Sequence, residues 1–339
     1  MTNTLFYRLS LSATLLTLCV IILGAYVRLS DAGLGCPDWP GCYGQILAPT
    51  AEHEVHQANQ AFPERPVESH KAWKEMAHRY LASTLGFVIL ILAFLAIKNR
   101  RQANQAVILP IALVLVVCFQ GALGMWTVTL LLKPAIVTLH LLGGMLTLAL
   151  LAWLTLSQKY PKEKRVSTST STKKWAIFAL IILSLQITLG GWTSTNYVAL
   201  HCYDLPTCQG EWLPPTDFKE GFKIWRELGV DYEGGVLSVE AGTAVHLTHR
   251  IGAVITLLTL GFLAFLLARE KHSLLTRLSV ILVVVLAAQI TLGLLNIILV
   301  LPLVIAVAHN GVAALLLITL VAINRILVTK DSIVKSNGP

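Results

Sequence analysis

Long uncharged runs alternate with short polar breaks along the whole chain. A helix crosses the hydrocarbon of a bilayer with about 20 apolar residues. Runs of that kind lie near residues 9–29, 73–97, 106–129, 135–157, 175–195, 242–268, 278–299 and 303–324. The pattern predicts eight transmembrane helices. The last two are fused into one uncharged stretch from Leu278 to Asn324, too long for a single crossing and broken around Asn296 and Pro302, so it reads as a hairpin. The first run lacks the small-residue cleavage pattern of a signal peptide and continues into Arg28 and its own loop, so it reads as a helix too.

Composition agrees: 55% of residues are hydrophobic, 13% are charged and the mean hydropathy is +0.70, far from an ordinary soluble domain. Basic residues fix the orientation, because short loops rich in Lys and Arg stay in the cytoplasm. Lys98, Arg100 and Arg101, the linker "SQKYPKEKRVSTSTSTKK", and Arg269, Lys271 and Arg277 mark three such loops, which makes both termini cytoplasmic. The two long loops, 30–72 and 196–241, then face outward and carry most of the acidic residues. Topogenesis and anionic lipid account for the net charge of +8, and no basic patch interleaved with aromatics points to nucleic acid.

An internal repeat organises the chain. "GAYVRLSDAGLGC" from Gly24 aligns without gaps on "GGWTSTNYVALHC" from Gly190, and each is followed six residues on by a second cysteine, Cys42 and Cys208. "HRYLASTLG" at His78 answers "HRIGAVITL" at His249, and Gln120 precedes His140 by the same 20 residues that separate Gln289 from His309. The reading is an all-α membrane protein of two four-helix bundles, residues 1–157 and 175–339, joined by a cytoplasmic linker at 158–174. An even number of helices per unit gives both the same orientation, so a pseudo-twofold axis along the membrane normal is expected.

His78, His140, His249 and His309 each fall roughly 8 to 12 Å inside the outer end of their helices at about 1.5 Å per residue. A lone histidine near a helix end is usually an interfacial or hydrogen-bonded residue. Four at one depth in matched repeats point instead to metal ligands, because ionisable side chains inside a membrane face the bundle interior with a partner. One pair per bundle suits axial ligation of haem iron. Gly86, Gly121, Gly124, Gly143, Gly144, Gly252, Gly293 and Gly311 leave room for a flat macrocycle, although packing is the ordinary role of such glycines. Arg79 and Arg250 are candidates for haem propionates and equally for helix-end anchors. Cys36 with Cys42 and Cys202 with Cys208 are expected as disulfides within the outer loops. Their spacing does not suit zinc, and Cys19 and Cys118 read as packing residues.

These features together, "GAYVRLSDAGLGCPDWPGC", "EMAHR", the second "HR" and the final histidine, resemble the haem A synthase family of cytochrome oxidase assembly over nearly the whole chain. The resemblance implies oxidation of the C8 methyl group of haem O to a formyl group, through successive hydroxylations, with haem B as an electron-relay cofactor. It implies that the first half holds the substrate, with His78, His140 and Glu75 catalytic, and that His249 and His309 in the second half hold haem B. It also implies a bacterial inner-membrane setting with periplasmic loops. Partners implied are haem O and haem A, the haem O synthase and oxidase assembly proteins, an electron acceptor or donor chain, and a homo-oligomer.

The residues themselves distinguish the halves. Glu75 and His78 share a helix face, where a carboxylate would accept a proton or stabilise a cation, whereas His246 occupies the corresponding place in the second half. The ordinary alternative for Glu75 is a salt bridge with Lys71 or Lys74. Rival functions are a dihaem membrane cytochrome moving electrons from quinol, for which two equivalent sites would serve better, and a non-catalytic haem carrier.

Overall fold

The computed structural model describes residues 4–102, 105–159 and 168–327, so residues 160–167 of the expected linker and the last residues lie outside the described part. Among the described residues there are ten helices and no strand, only two isolated bridges, Cys42 with Gln45 and Cys208 with Glu211. Eight helices are long and apolar enough to cross a membrane: α1 (Thr4–Leu29), α3 (Ser69–Lys98), α4 (Ile108–Thr129), α5 (Pro134–Lys159), α6 (Thr170–Thr195), α8 (Val239–Arg269), α9 (Ser273–Ile298) and α10 (Leu303–Leu327). The short helices α2 (Glu52–Ala61) and α7 (Phe218–Gly221) sit in the two long loops. The uncharged stretch 278–324 is indeed two helices.

Helix boundaries follow local chemistry. Ser169 and Ser238 accept from the amides of Thr172 and Ala241 to cap α6 and α8, supplying acceptors for first-turn N–H groups that have no partner within the helix. The α4–α5 turn takes Leu131 and Leu132 through positive φ, and the α9–α10 turn does the same at Val300 and Leu301. Such angles are uncommon for bulky residues, so their recurrence at matching places shows the repeat in the backbone. It recurs elsewhere as well. Asp31 and Tyr197 both have positive φ just beyond α1 and α6, Tyr43–Gly44 matches Gln209–Gly210, and cis peptide bonds precede Pro40 and Pro206.

The helices pair in the same order in both halves. α1 packs on α3 and α5, α3 on α4, and α4 on α5; correspondingly α6 packs on α8 and α10, α8 on α9, and α9 on α10. The halves meet where α1 and α5 face α10 and where α5 faces α6. A buried apolar cluster runs through this seam, from Ile21, Met145 and Leu148 to Leu183, Leu260, Leu282 and Leu317. Lipid tails are as apolar as leucine, so hydrogen bonds and close packing help to fix helix neighbours inside a membrane. Thr14 and Thr155 join α1 to α5 at 3.1 Å, Thr138 and Thr195 join α5 to α6 at 3.0 Å, and Asn324 donates to the Ala176 carbonyl at 3.0 Å.

The loops are tied across the halves. Arg65 pairs with Asp231 at 2.6 Å and Glu233 at 3.6 Å, the Tyr232 amide donates to the Leu131 carbonyl at 3.1 Å, and Arg28 donates to the Ser194 carbonyl at 2.8 Å. Cys19 and Cys118 are exposed on α1 and α4, facing away from the bundle, and are not the interior packing residues expected from their apolar surroundings.

Candidate functional site

The four histidines project from α3, α5, α8 and α10, and each ring rests on a glycine of a neighbouring helix. A methyl group at Gly24 would stand 2.8 Å from His78 Cε1, at Gly124 3.4 Å from His140 Cε1, and at Gly190 and Gly293 3.1 Å from His249 and His309 Cε1. Four residues before each glycine comes Val20, Gln120, Gln186 or Gln289. Residues at i and i+4 share a helix face, so each histidine meets both members of one pair. The Gln120 side-chain amide donates to the His140 carbonyl at 2.8 Å, and that of Gln186 donates to the His249 carbonyl at 3.0 Å and lies 3.0 Å from its Nδ1. Gln289 Nε2 lies 3.2 Å from His309 Nε2. His78 has only the Val20 backbone at this place.

Several glycines expected to clear a macrocycle therefore seat the histidines and glutamines themselves. A methyl group at Gly143 or Gly252 would run into the side-chain carbonyl of Gln120 or Gln186. Gly121 has open space beside it. The spacing of Gln120 and Gln289 was visible in the sequence as a landmark of the repeat. The fourfold pattern of a glutamine or valine four residues before a glycine was also there to find, in "VIILG", "QGALG" and two copies of "QITLG".

One turn before the first histidine of each half, a second set of contacts joins the helix to the outer loop. Glu75 is buried on α3. Its Oε2 accepts the Cys36 amide at 2.9 Å and its Oε1 pairs with Arg79 at 2.5 Å. The Lys71 and Lys74 bridges anticipated for Glu75 are not the ones formed: Lys71 pairs with Glu68 at 2.9 Å, and Lys74 lies over the Tyr26 ring. Arg79 also donates to the carbonyls of Asp38, Pro40 and Gly41 at 3.1, 3.3 and 2.5 Å, all inside the ring closed by the Cys36–Cys42 disulfide. In the second half His246 Nδ1 accepts the Cys202 amide at 3.0 Å. Arg250 donates to the carbonyls of Thr207 at 2.9 Å and Asp204 at 2.5 Å, inside the Cys202–Cys208 ring. Both expected disulfides are formed, and His246 holds the loop in the place where Glu75 holds it in the first half.

The spacing of the first histidine pair fits a haem iron. The His78 and His140 rings have centroids 6.4 Å apart and planes 81° apart. Two metal–imidazole bonds of about 2 Å each, with about 1 Å more from each nitrogen to its ring centre, span roughly the same distance. The buried Nδ1 atoms of His78, His140 and His309 have no hydrogen-bond partner, a costly arrangement unless something else satisfies them. Among the described residues no group of three or more His, Cys, Asp or Glu converges as a bare metal site. Two axial imidazoles are all that a macrocycle, which brings four nitrogens of its own, requires.

Residues 7–321 match the family model of the cytochrome oxidase assembly protein COX15-CtaA. The chain belongs to that family. It is 47% identical over 319 residues to the heme A synthase of Shewanella oneidensis, covering 93% of this chain and 94% of the relative. It is 27% identical over 334 residues to the heme A synthase of a Chelativorans species, covering 93% of this chain and 89% of the relative. A heme A synthase of Granulibacter bethesdensis is 25% identical over 336 residues, covering 91% of this chain and 85% of the relative. The family match spans both histidine pairs and both disulfide rings, so the COX15-CtaA resemblance does not rest on one half alone.

Proposed function

We propose that this protein is a haem A synthase, oxidising the C8 methyl group of haem O to a formyl group. The observation that carries the reading is an acid present at only one of two otherwise similar histidine pairs. Glu75 lies one turn from His78, bonded to Arg79 and to the Cys36 amide, whereas the second half has neutral-capable His246 there, bonded to Cys202. A buried carboxylate held in place by two donors is preorganised to stabilise positive charge that develops near it, and such interactions accelerate a reaction only when they strengthen in the transition state. The first half, residues 1–157, is accordingly assigned to substrate, with His78 and His140 positioning haem O.

The second half, residues 175–339, is assigned to the cofactor, held by His249 and His309. Haem B bound there would supply one-electron relay chemistry. The propionate role of Arg79 and Arg250 is narrowed by their bonds to the loop carbonyls, which a propionate would have to share. In the proposed topology the termini are cytoplasmic, the disulfide loops are periplasmic, and the membrane is the bacterial inner membrane. Haem O would arrive from its synthase and haem A would leave toward oxidase assembly proteins, with an electron acceptor completing the oxidation.

The likeness of the two ring seats also suits a dihaem electron-transfer cytochrome, and one experiment separates the readings. Membranes containing the protein and supplied with haem O are extracted and their pigments separated. Haem A in the extract supports the synthase; bound haem without any haem A overturns it. Replacement of His249 or His309 by Ala is expected to remove the resident haem B, while replacement of His78 or His140 leaves it and stops conversion. Loss of the resident haem in His78→Ala, with retention in His249→Ala, would reverse the assignment of the halves.

A further inference from the structure

We infer that the glutamine amides of α4, α6 and α9 set how firmly each histidine grips its macrocycle, and that their absence at Val20 makes the His78 seat the one that releases. The inference deepens the division of labour proposed above and rests on it for which half exchanges its haem. A substrate site must give up its macrocycle after each turnover, whereas a cofactor site must keep its own.

The four seats share a helix register but differ in one side chain. Both histidines of the second half meet a glutamine amide, His249 through its carbonyl and Nδ1 and His309 through its ring. In the first half His140 is tied through its carbonyl to Gln120, and His78 faces Val20, whose side chain has no hydrogen to donate. Gln120 and Gln186 turn their carbonyl oxygens against Gly143 and Gly252, each three residues beyond its histidine. Three residues beyond His78 stands Leu81. A glycine at that place accompanies Gln120 and Gln186 but not Gln289, whose histidine is followed at the same distance by Val312, so the difference that sets His78 apart is the missing amide at Val20.

The physical consequence concerns motion of the ligand. Replacing an axial imidazole requires its ring to swing off the iron, which in a helical side chain means leaving its rotamer. An amide bonded across helices opposes that movement and also fixes the spacing between the two helices. Partners beyond the ligating atom orient metal-bound imidazoles, and their loss weakens metal affinity about 10- to 100-fold. His78 is seated by Gly24 and unrestrained by any glutamine. It is the ring that moves at least cost.

The test uses the full-length protein in detergent, loaded with haem B in both halves, and transfer of haem to excess apomyoglobin followed optically. Wild type is expected to lose haem in a fast and a slow phase. Gln186→Met and Gln289→Met keep side-chain volume and remove the donor, and each should quicken the slow phase about tenfold while shifting the low-spin electron paramagnetic resonance signal of that haem. Val20→Gln, alone and with Leu81→Gly, should slow the fast phase by a similar factor. A merely structural role would not move the two phases in opposite directions. Unchanged phases in both methionine variants would overturn the inference. His249→Ala identifies the phases separately. Loss of the fast phase in that variant would overturn the inference, because the half with two ring-facing glutamines would then be the one that releases, whereas the expected phases without any haem A formation would fail the synthase reading alone.

Discussion

Cys36 donates its backbone N–H to Glu75 Oε2 at 2.9 Å, so the first disulfide ring and the candidate catalytic acid are one unit. Arg79 completes it by bonding Glu75 and three carbonyls of the same ring. Closing a ring this short stabilises the folded loop by about 2 kcal/mol through the unfolded state. Cys36→Ser with Cys42→Ser should therefore lower the thermal midpoint by several degrees and also reduce haem A formation. Cys202→Ser with Cys208→Ser should cost similar stability but act first on the haem spectrum. Unfolding scans and pigment analysis of the two double variants check the pair; equal effects on conversion at equal stability would contradict the coupling to Glu75.

Glu75 is a buried charge whose removal leaves another charge behind. Glu75→Ala strands Arg79 among carbonyls and should destabilise by about 3 kcal/mol, the range for breaking one side of a buried pair. Glu75→Gln keeps an oxygen for the Cys36 amide and should fold nearly normally while conversion falls at least about tenfold with haem O still bound. A glutamine variant with full activity would remove Glu75 from the chemistry. Chemical denaturation and single-turnover conversion on the two variants separate the structural part from the catalytic part.

The spans, the repeat and the four histidines were legible in the sequence because each writes a pattern along the chain: apolar length, matched motifs and matched depth. The two disulfides followed from paired cysteines in outer loops. Less legible was anything that depends on which face of a helix turns inward. Helices apolar on all sides carry little amphipathic signal, so Cys19 and Cys118 could not be told apart from core residues by their neighbours. The ordinary alternative for Glu75, a bridge to Lys71 or Lys74, passed over Arg79, which is four residues on and shares its helix face; what the sequence does not show is the loop's return, which puts the carbonyls of Asp38, Pro40 and Gly41 on the same guanidinium. His246 could be matched to Glu75 by alignment, but its bond to Cys202 required the folded loop.

The second disulfide ring contains a pH-sensitive element outside the membrane. The Thr207 hydroxyl holds the Asp204 carboxyl down at about 2, with the amides of Gly210 and Gln209 accepted at 2.9 and 2.6 Å. A carboxyl depressed in the folded state contributes stability that is fully present above its ordinary value near 4. That contribution is lost as pH falls through about 2. Asp204→Asn should therefore speed amide exchange in residues 203–216 at pH 7, and the contrast with wild type should shrink as pH falls below about 4. Hydrogen exchange read by mass spectrometry measures it. A difference that persists undiminished at low pH would assign the effect to geometry and not to charge.

Three glycines test how closely the histidine rings are seated. Gly190 and Gly121 both lie in long helices, and an alanine in either gains helix propensity of up to about 1 kcal/mol over glycine. At Gly121 nothing stands within 4 Å of the added methyl group, so Gly121→Ala should be neutral to slightly stabilising and leave every haem band in place. At Gly190 the methyl group would stand 3.1 Å from His249 Cε1, and the ring or the helix must give by a few tenths of an ångström. A core packed at near-crystalline density transmits such a shift without absorbing it. Gly190→Ala should consequently weaken retention of the resident haem about tenfold and move its Soret band, while Gly24→Ala, tighter at 2.8 Å from His78 Cε1, should spare that haem and impair substrate handling. Optical titration of the three variants with haem B decides the matter: if Gly190→Ala binds haem as wild type does, His249 is not seated on α6 in the ligated protein.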